Sequence, residues 1–193
     1  MKATNSFYLS LFIATVFCFF SFTSYSQVSA VDFKLVSNKK TGDYDVYLKV
    51  LEGNTKNTRH RIQFNSQIAI VVPTGAEMEI TNHYMPVQDN QEYKGTLPME
   101  WEMMKPLVSP TAMPANDFYA FRPTLIPTSL YNDLKAGDEI KLFSFRCSSA
   151  KMNEVRLFRN GEDPTSGKGM NGRDFFNSFC IGSVADIYKM SSL

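Results

Sequence analysis

Short runs of alternating apolar and polar residues are the feature that most constrains how this chain can fold. At residues 76–81, Ala, Met and Ile alternate with Glu, Glu and Thr, and residues 96–103 repeat the pattern with Trp101 on the apolar side. Side chains alternate between the two faces of a β-strand, whereas on a helix one face recurs about every 3.6 residues. No long stretch of the sequence keeps the helical period. The alternation therefore predicts a protein built from strands.

The remaining β-branched and aromatic runs lie between turn signals such as "KKTGD" at residues 39–43. They span residues 31–37, 44–51, 61–72, 139–147, 154–160 and 174–190. Many short strands separated by turns are typical of a sandwich of two sheets. We predict an all-β protein, a two-sheet antiparallel β-sandwich with about eight or nine strands. Residues 184–190 are the only part that we expect to form a short helix.

The first 26 residues differ in composition from the rest of the chain. Lys2 is the only charged residue among them, residues 7–22 are almost wholly apolar, and small residues precede Gln27. This pattern is typical of a secretory signal peptide, and its apolar core is shorter than the roughly 20 residues of a membrane span. We predict cleavage near Ser26 and a single β-sandwich domain at residues 27–193 with no transmembrane segment. The mature protein is then secreted, periplasmic or on the cell surface.

Charge and glycine patterning exclude two classes of ligand. The chain has 20 basic and 19 acidic residues, without the basic stripe that nucleic-acid binding requires. The glycine-rich segment 161–169 looks like a phosphate loop, but five residues separate Gly161 from Gly167, and Lys168 is followed by glycine. A phosphate loop has about four residues there, then Ser or Thr and a helix. We therefore expect neither nucleic acid nor a nucleotide as partner.

The same loop is rich in oxygen-bearing side chains, which are the ligands that calcium prefers. The candidate calcium ligands are Asn160, Glu162, Asp163, Asn171 and Asp174. Such residues also recur in loops because they bond to their own backbone. A structural calcium is the only cofactor that the sequence suggests. An ordinary connection and a ligand-contacting loop are the alternatives.

Two cysteines, Cys147 and Cys180, remain once the predicted signal peptide is removed. A secreted chain with one such pair favours a disulfide, and closing a loop of about 33 residues would stabilise the fold by roughly 3–4 kcal/mol. Two free buried thiols are the alternative. We predict a structural disulfide between Cys147 and Cys180.

Two pairs of glutamates raise the question of catalysis. Glu77 and Glu79, and likewise Glu100 and Glu102, are two residues apart on predicted strands, so each pair shares a face with roughly 7 Å between Cα atoms. Glycosidases place their two carboxylates about 5–9.5 Å apart. Alternating Glu is also typical of a solvated strand face, which is the interpretation that we favour. No catalytic residue is therefore assigned.

Aromatic residues in or beside loops are the candidates for ligand contact, because tyrosine presents an apolar ring and a polar tip. We predict Tyr84, Tyr119 and Tyr131 as ligand-binding residues, with half-buried loop anchors as the alternative. Trp101 shares its face with Leu and Met residues and is expected in the core. The proline- and aromatic-rich segment 106–131 is expected to contain at most one short strand, around "DFYAF", and to cover an edge or an end of the sandwich.

The stretch "LKAGDEIKLFSFRC" at 134–147, followed by "VADIYKM" at 184–190, resembles the C-terminal half of cohesin-like sandwich modules. The chain also looks like adhesin-type modules that Gram-negative bacteria secrete. The resemblance implies a nine-stranded, jelly-roll-like sandwich that binds a protein or a glycan without catalysis, and it carries over no functional residue.

These patterns together predict an exported, non-catalytic recognition or adhesion module whose partner is an extracellular protein or polysaccharide. One alternative is a secreted carbohydrate-active enzyme that uses a strand Glu pair. The other is a purely structural envelope or matrix subunit.

Overall fold

The computed structural model describes residues 27–84, 100–124, 131, 133–148, 153–182 and 187–190, so the predicted signal peptide lies outside the described residues. The strands are β1 (Ala30–Asn38), β2 (Asp43–Glu52), β3 (Gln63–Pro73), β4 (Met78–His83), β5 (Trp101–Met103), β6 (Asn116–Pro123), β7 (Glu139–Cys147), β8 (Arg156–Leu157) and β9 (Ser178–Ile181). A short 3-10 helix at Thr58–Arg61 precedes β3. Within the ranges given above, no helix has the length and apolar character that a membrane span needs.

All of the named strands belong to two antiparallel sheets. The first sheet has the order β1-β2-β7-β4 and the second the order β5-β6-β3-β8, with β9 paired to the other half of β3. The apolar sides of the two sheets face each other and enclose one core. The predicted all-β, two-sheet antiparallel sandwich is therefore confirmed, with nine strands in the described part of the chain.

The main core lies between the two sheets and is rich in aromatic side chains. Phe121 of β6 contacts Phe143 and Phe145 of β7 across the interface, with ring centroids 4.9 and 5.9 Å apart. Trp101, only 2% exposed, packs on Phe143 at 5.1 Å, which confirms its expected place in the core. Aromatic pairs at such distances contribute about 0.5–1.5 kcal/mol beyond the burial of their area. These rings hold the two sheets face to face.

A second, smaller core lies on the outer face of the second sheet. Val71 of β3 and Phe118 of β6 belong to it and are fully buried. Its other buried members come from the same strands and from the two segments that cover this face: Ala69, Leu107, Ala120, Phe158, Met170 and Phe175. The part of β3 and β6 that carries these residues is therefore buried on both faces of the second sheet.

The proline-rich segment 106–131 contains the expected short strand, but its position in the fold differs from the expectation. Its residues 116–123 form β6, a central strand between β5 and β3, and residues 106–115 cover the outer face of the second sheet instead of an edge or end. Leu107 and Phe118 exchange two backbone hydrogen bonds of 3.0 Å. The run "DFYAF" can lie centrally because its apolar residues serve both faces, as in strands that are covered on both sides.

The segment 184–190, predicted as a short helix, is extended where the structure describes it. Tyr188 forms a parallel bridge with Val31 of β1, and the Ile187 N–H donates to the Phe179 carbonyl of β9 at 2.9 Å. The helix prediction is wrong here because backbone groups at the edges of both sheets bind this part of the chain in extended form. The contacts join the first sheet to the second on one side of the sandwich.

The predicted disulfide between Cys147 and Cys180 is not formed. Cys147 ends β7 and packs against the main core, whereas Cys180 alternates with Phe179 and Ile181, whose side chains fill that core. The Cys180 side chain therefore points to the opposite face of the second sheet. A disulfide requires Cα atoms within about 7 Å and side chains that face each other. Because the two side chains face opposite sides of the second sheet, they do not meet this requirement.

We expect Cys147 to react slowly with thiol reagents in the folded protein. Burial raises the pKa of its thiol, and the thiolate is the reactive form. Iodoacetamide near neutral pH should alkylate Cys147 about tenfold or more slowly in the folded state than in urea, as measured by peptide mass spectrometry. Both cysteines should be alkylated in urea without a reductant. Protection of the pair until a reductant is added would show a bridge and contradict the structure.

Candidate functional site

The glycine-rich loop 159–173 is held by protein contacts on both of its sides. Arg156 of β8 forms a bidentate ion pair with Asp163, at 2.6 and 2.8 Å, and a backbone N–H of the loop donates to the same carboxylate at 2.8 Å. Gly169 has a φ of 94°, and a Cβ at this position would lie 2.8 Å from the backbone nitrogen of Ala112. The glycine thus permits close packing on the proline-rich segment. The loop covers the second core and does not form a phosphate cradle.

The candidate calcium ligands of this loop have protein partners or form turns. Asn160 exchanges two hydrogen bonds with the backbone of Asn177, at 2.8 and 2.9 Å. Glu162 forms a surface ion pair with Arg159 at 3.3 Å. Asn171 has a φ of 52°, in the left-handed region where Asn is enriched. Across the described residues, no group of three Asp, Glu, His or Cys side chains is placed to hold a metal ion. Calcium stays a prediction that these contacts do not favour.

Two of the three tyrosines predicted to bind a ligand are core residues. Tyr131 is fully buried and its hydroxyl donates to Gln63 Oε1 at 2.5 Å, and burial strongly raises the pKa of Tyr131. Tyr119 is 7% exposed and its hydroxyl donates to the Ala76 carbonyl at 2.8 Å. Neither hydroxyl is accessible to a ligand from solvent. Tyr119 and Tyr131 are therefore corrected from binding residues to structural ones.

Tyr84 lies half-buried on the outer face of the first sheet. The Lys141 Nζ is 4.3 Å from the centre of its ring, and the Ser144 Oγ is 3.3 Å from its hydroxyl. Hydrogen bonding to Lys141 and to Ser144 lowers the pKa of Tyr84. Lys141 also forms an ion pair with Asp45 at 2.8 Å. Since Asp45 neutralises Lys141, this cluster has no net charge that would attract a charged ligand. A ligand contact by Tyr84 stays a prediction.

The four glutamates that raised the question of catalysis are all exposed. Glu79 lies on β4 of the first sheet and Glu77 directly precedes that strand, whereas Glu102 lies on β5 of the second sheet and Glu100 precedes it. This placement is the one expected for a solvated strand face. None of the four lines the cleft described next.

A cleft of about 280 Å³ lies on the outer face of the second sheet, beside the second core. Strands β3 and β6 form its base. Its walls come from Met104 and Lys105, directly before the proline-rich segment, and from residues 173–175 at the end of the glycine-rich loop. The lining residues are Gln67, Met104, Lys105, Ala120, Arg122, Arg173, Asp174 and Phe175. Ligand pockets span roughly 300–1,000 Å³, so this cleft has room for one ring-sized group.

Arg122 is the central polar group of the cleft. It follows the inward-facing Phe121 on β6 and therefore points outward. Its Nε and Nη2 donate to Gln67 Oε1 at 3.2 and 2.7 Å. The buried Gln67 side chain donates in turn to the carbonyls of Asp174 and Phe176, at 3.2 and 2.9 Å. Since a guanidinium has about five N–H donors, Arg122 is fixed in place and keeps donors for a ligand.

Arg173 fixes the walls of the cleft. Its Nη1 donates to the carbonyls of Lys105 and Pro106, at 2.6 and 3.1 Å, and so joins the glycine-rich loop to the proline-rich segment. The neighbouring Phe175 is 3% exposed and packs on Phe118 at 5.3 Å. The walls are therefore held by contacts within the protein, independently of a ligand.

The cleft carries unbalanced positive charge. Lys105, Arg122 and Arg173 line it, and none of the three forms an ion pair with a carboxylate in the part of the chain that the structure describes. Asp174 is the acidic residue of the lining, and its Oδ1 accepts a hydrogen bond from the Phe176 N–H at 3.0 Å. Cationic side chains with available donors bind anions through charge-assisted hydrogen bonds.

Of the lining residues, only Asp174 is a site residue predicted from the sequence, and it was predicted to bind calcium. One signal was present, since Arg122 ends the otherwise apolar run "FYAFR". Lys105 and Arg173 are remote from it in sequence, and no spacing links them. Comparisons with protein-family models, with curated proteins and with solved structures find no match for this chain. The assignment of the site therefore rests on geometry and charge.

Proposed function

We propose that this protein is an exported, non-catalytic recognition or adhesion module that contacts an extracellular partner through the cleft. The observation that carries the proposal is the convergence of Lys105, Arg122 and Arg173 on one small concave site. Charges of one sign in a cleft raise the local concentration of ligands of the opposite sign. The composition of residues 1–26 supports export, because a short basic start and an apolar core are typical of a signal peptide.

The geometry of the cleft favours binding over turnover. Hydrolysis of a glycosidic bond usually requires two carboxylates, one on each side of the bond. Among the residues that line the cleft there is one carboxylate, that of Asp174, and no His, Cys, Ser or Tyr. The remaining polar groups are guanidinium, ammonium and amide groups, which donate hydrogen bonds to an anion.

A thermal-shift scan against secreted polysaccharides and secreted acidic proteins tests this function. A true ligand at about 100 times its Kd should stabilise the protein by roughly 2.7 kcal/mol and raise its Tm by several degrees. The Lys105→Gln variant should bind that ligand about tenfold more weakly, because it loses a charge-assisted hydrogen bond of about 1.5–3 kcal/mol. Lys105 is exposed, so this variant keeps the fold.

Arg146→Gln is the matched control, since it removes one positive charge from the outer face of the first sheet. Arg146 pairs there with Asp43 at 2.9 Å, and its loss should leave ligand binding unchanged. Equal weakening by Lys105→Gln and Arg146→Gln would indicate unspecific charge attraction and contradict the cleft as the site. Shortening of a bound polysaccharide during incubation would contradict the non-catalytic part.

A further inference from the structure

We infer that the partner is an acidic polysaccharide and that the cleft binds one uronate unit of it, a sugar ring that bears a carboxylate. This inference rests on the proposed function and specifies its ligand. Four features of the cleft support it: its hydrogen-bond donors, its acceptors, its size with its apolar wall, and the pairing of the strands beneath it.

The donors of the cleft match a carboxylate. Gln67 holds Arg122 through Nε and Nη2, which leaves Nη1 available to a ligand. Lys105, whose side chain ends in an ammonium group, lines the same cleft. A guanidinium and an ammonium group together neutralise a carboxylate and bind it through charge-assisted hydrogen bonds.

The cleft also offers acceptors that a simple anion does not use. The Oδ2 of Asp174 accepts no hydrogen bond from a described residue, whereas its Oδ1 accepts one from Phe176. Glu102 of β5 lies opposite Arg122 in register and so shares the outer face. The Asp174 carboxylate accepts hydrogen bonds from sugar hydroxyl groups. Together with the Glu102 carboxylate, which lies beside the cleft and outside its lining, it would repel a dense polyanion such as polyphosphate. A sugar ring with one carboxylate and several hydroxyl groups matches both the hydrogen-bond donors and the acceptors of the cleft.

The size and the apolar wall of the cleft fit a single sugar ring. Its volume of about 280 Å³ suits one ring. Met104, which is 36% exposed, lies on the rim, and Ala120 and Phe175 provide apolar surface below it. The C–H face of a pyranose ring can pack on this surface and remove apolar area from water.

The strands beneath the cleft give no edge to a peptide. β6 is hydrogen-bonded to β5 on one side and to β3 on the other. Extended peptides gain much of their affinity by adding a strand to an exposed sheet edge. A peptide across this cleft would find side chains only and would leave its own backbone groups to water. The cleft therefore favours a polysaccharide over an acidic peptide.

Isothermal titration calorimetry with defined oligomers tests the inference. The probes are the tetramers of galacturonate, mannuronate and guluronate, the methyl ester of each, and a tetraglutamate peptide. We expect at least one uronate tetramer to bind, and its methyl ester and the peptide to bind at least tenfold more weakly. Binding that survives esterification, or tighter binding of the peptide, would overturn the inference.

Three variants test whether the uronate binds in the cleft, and they distinguish a failure of the uronate inference from a failure of the recognition function. Lys105→Gln should weaken uronate binding about tenfold, Glu102→Gln should strengthen it about two- to fivefold by removing a like charge, and Glu77→Gln on the first sheet should leave it unchanged. If no uronate tetramer binds but another secreted polymer does and loses affinity in Lys105→Gln, the uronate inference is wrong and the recognition function stands. If Lys105→Gln changes the binding of no polymer, both are wrong.

Discussion

Replacing Phe121 by alanine should destabilise the protein by about 3–5 kcal/mol, because a large buried ring is lost and a cavity remains. Phe121 is fully buried and contacts Phe143 and Phe145 of the opposite sheet, at 4.9 and 5.9 Å. The cavity would therefore lie between the two sheets. Domains have about 5–15 kcal/mol of stability in total. Urea unfolding followed by the fluorescence of Trp101, the only tryptophan in the chain, measures the loss.

Phe176→Ala is the matched control for this experiment. Phe176 is 37% exposed and contacts only the edge of the second core, with its ring 6.1 Å from Phe158. Its truncation should cost about 1 kcal/mol or less. The milder Phe121→Leu, with an expected cost of about 1–1.5 kcal/mol, keeps the test available if the alanine variant does not fold. Equal losses for the two alanine variants would contradict the place of Phe121 between the sheets.

Replacing Asn177 by alanine should cost about 2–5 kcal/mol, since two buried backbone groups lose their partner at about 1–3 kcal/mol each. The Asn177 side chain is fully buried, accepts a hydrogen bond from the Ala69 N–H at 2.8 Å and donates one to the Phe158 carbonyl at 2.6 Å. It joins the second sheet to the glycine-rich loop. Thermal unfolding measures the effect. The exposed Asn82→Ala, as control, should stay within about 0.5 kcal/mol.

Asn177→Asp makes the same prediction dependent on pH. One carboxyl oxygen can accept from Ala69, but the other faces the Phe158 carbonyl and donates to it only when protonated. Burial raises the pKa of such a carboxyl above its value in the unfolded chain. The folded state then binds more protons than the unfolded state, so stability falls as pH rises. The Tm deficit of the variant should grow between about pH 4 and pH 7; a constant deficit would contradict the two-bond geometry of Asn177.

The strands could be predicted from the sequence where the signal is local. The run at 139–147 coincides with β7, and the alternation after Ala76 marks β4. Prediction was wrong where the partner is remote in sequence. Nothing near residues 187–190 indicates that Val31 will pair with them, and nothing near β6 indicates that a loop will cover its outer face.

The candidate site could not be predicted for the same reason. Lys105, Arg122 and Arg173 come from three separate segments, and only the packing of both covers on the second sheet brings them to one cleft. The buried tyrosines were wrongly predicted as binding residues for the same reason. Tyr131 lies in a loop by sequence, and only its hydrogen bond to the distant Gln63 shows that it is a core residue. The absence of a disulfide likewise follows from the directions of the two cysteine side chains. These directions depend on the strand pairing of β7 in the first sheet and of β9 in the second.

The bridge between Tyr188 and Val31 pairs the first strand with residues near the end of the described chain. The outer edge of β1 is paired only by residues close to the end of the described chain, so part of the contact between the two sheets depends on residues that are far apart in the sequence. Contacts of this kind raise the contact order and slow folding. A chain that emerges with its N-terminus first, from a ribosome or from a translocation pore, therefore cannot form the pairing between β1 and residues 187–189 until it has emerged almost completely. The two sheets are joined on this side only after residues 187–189 have bound to β1.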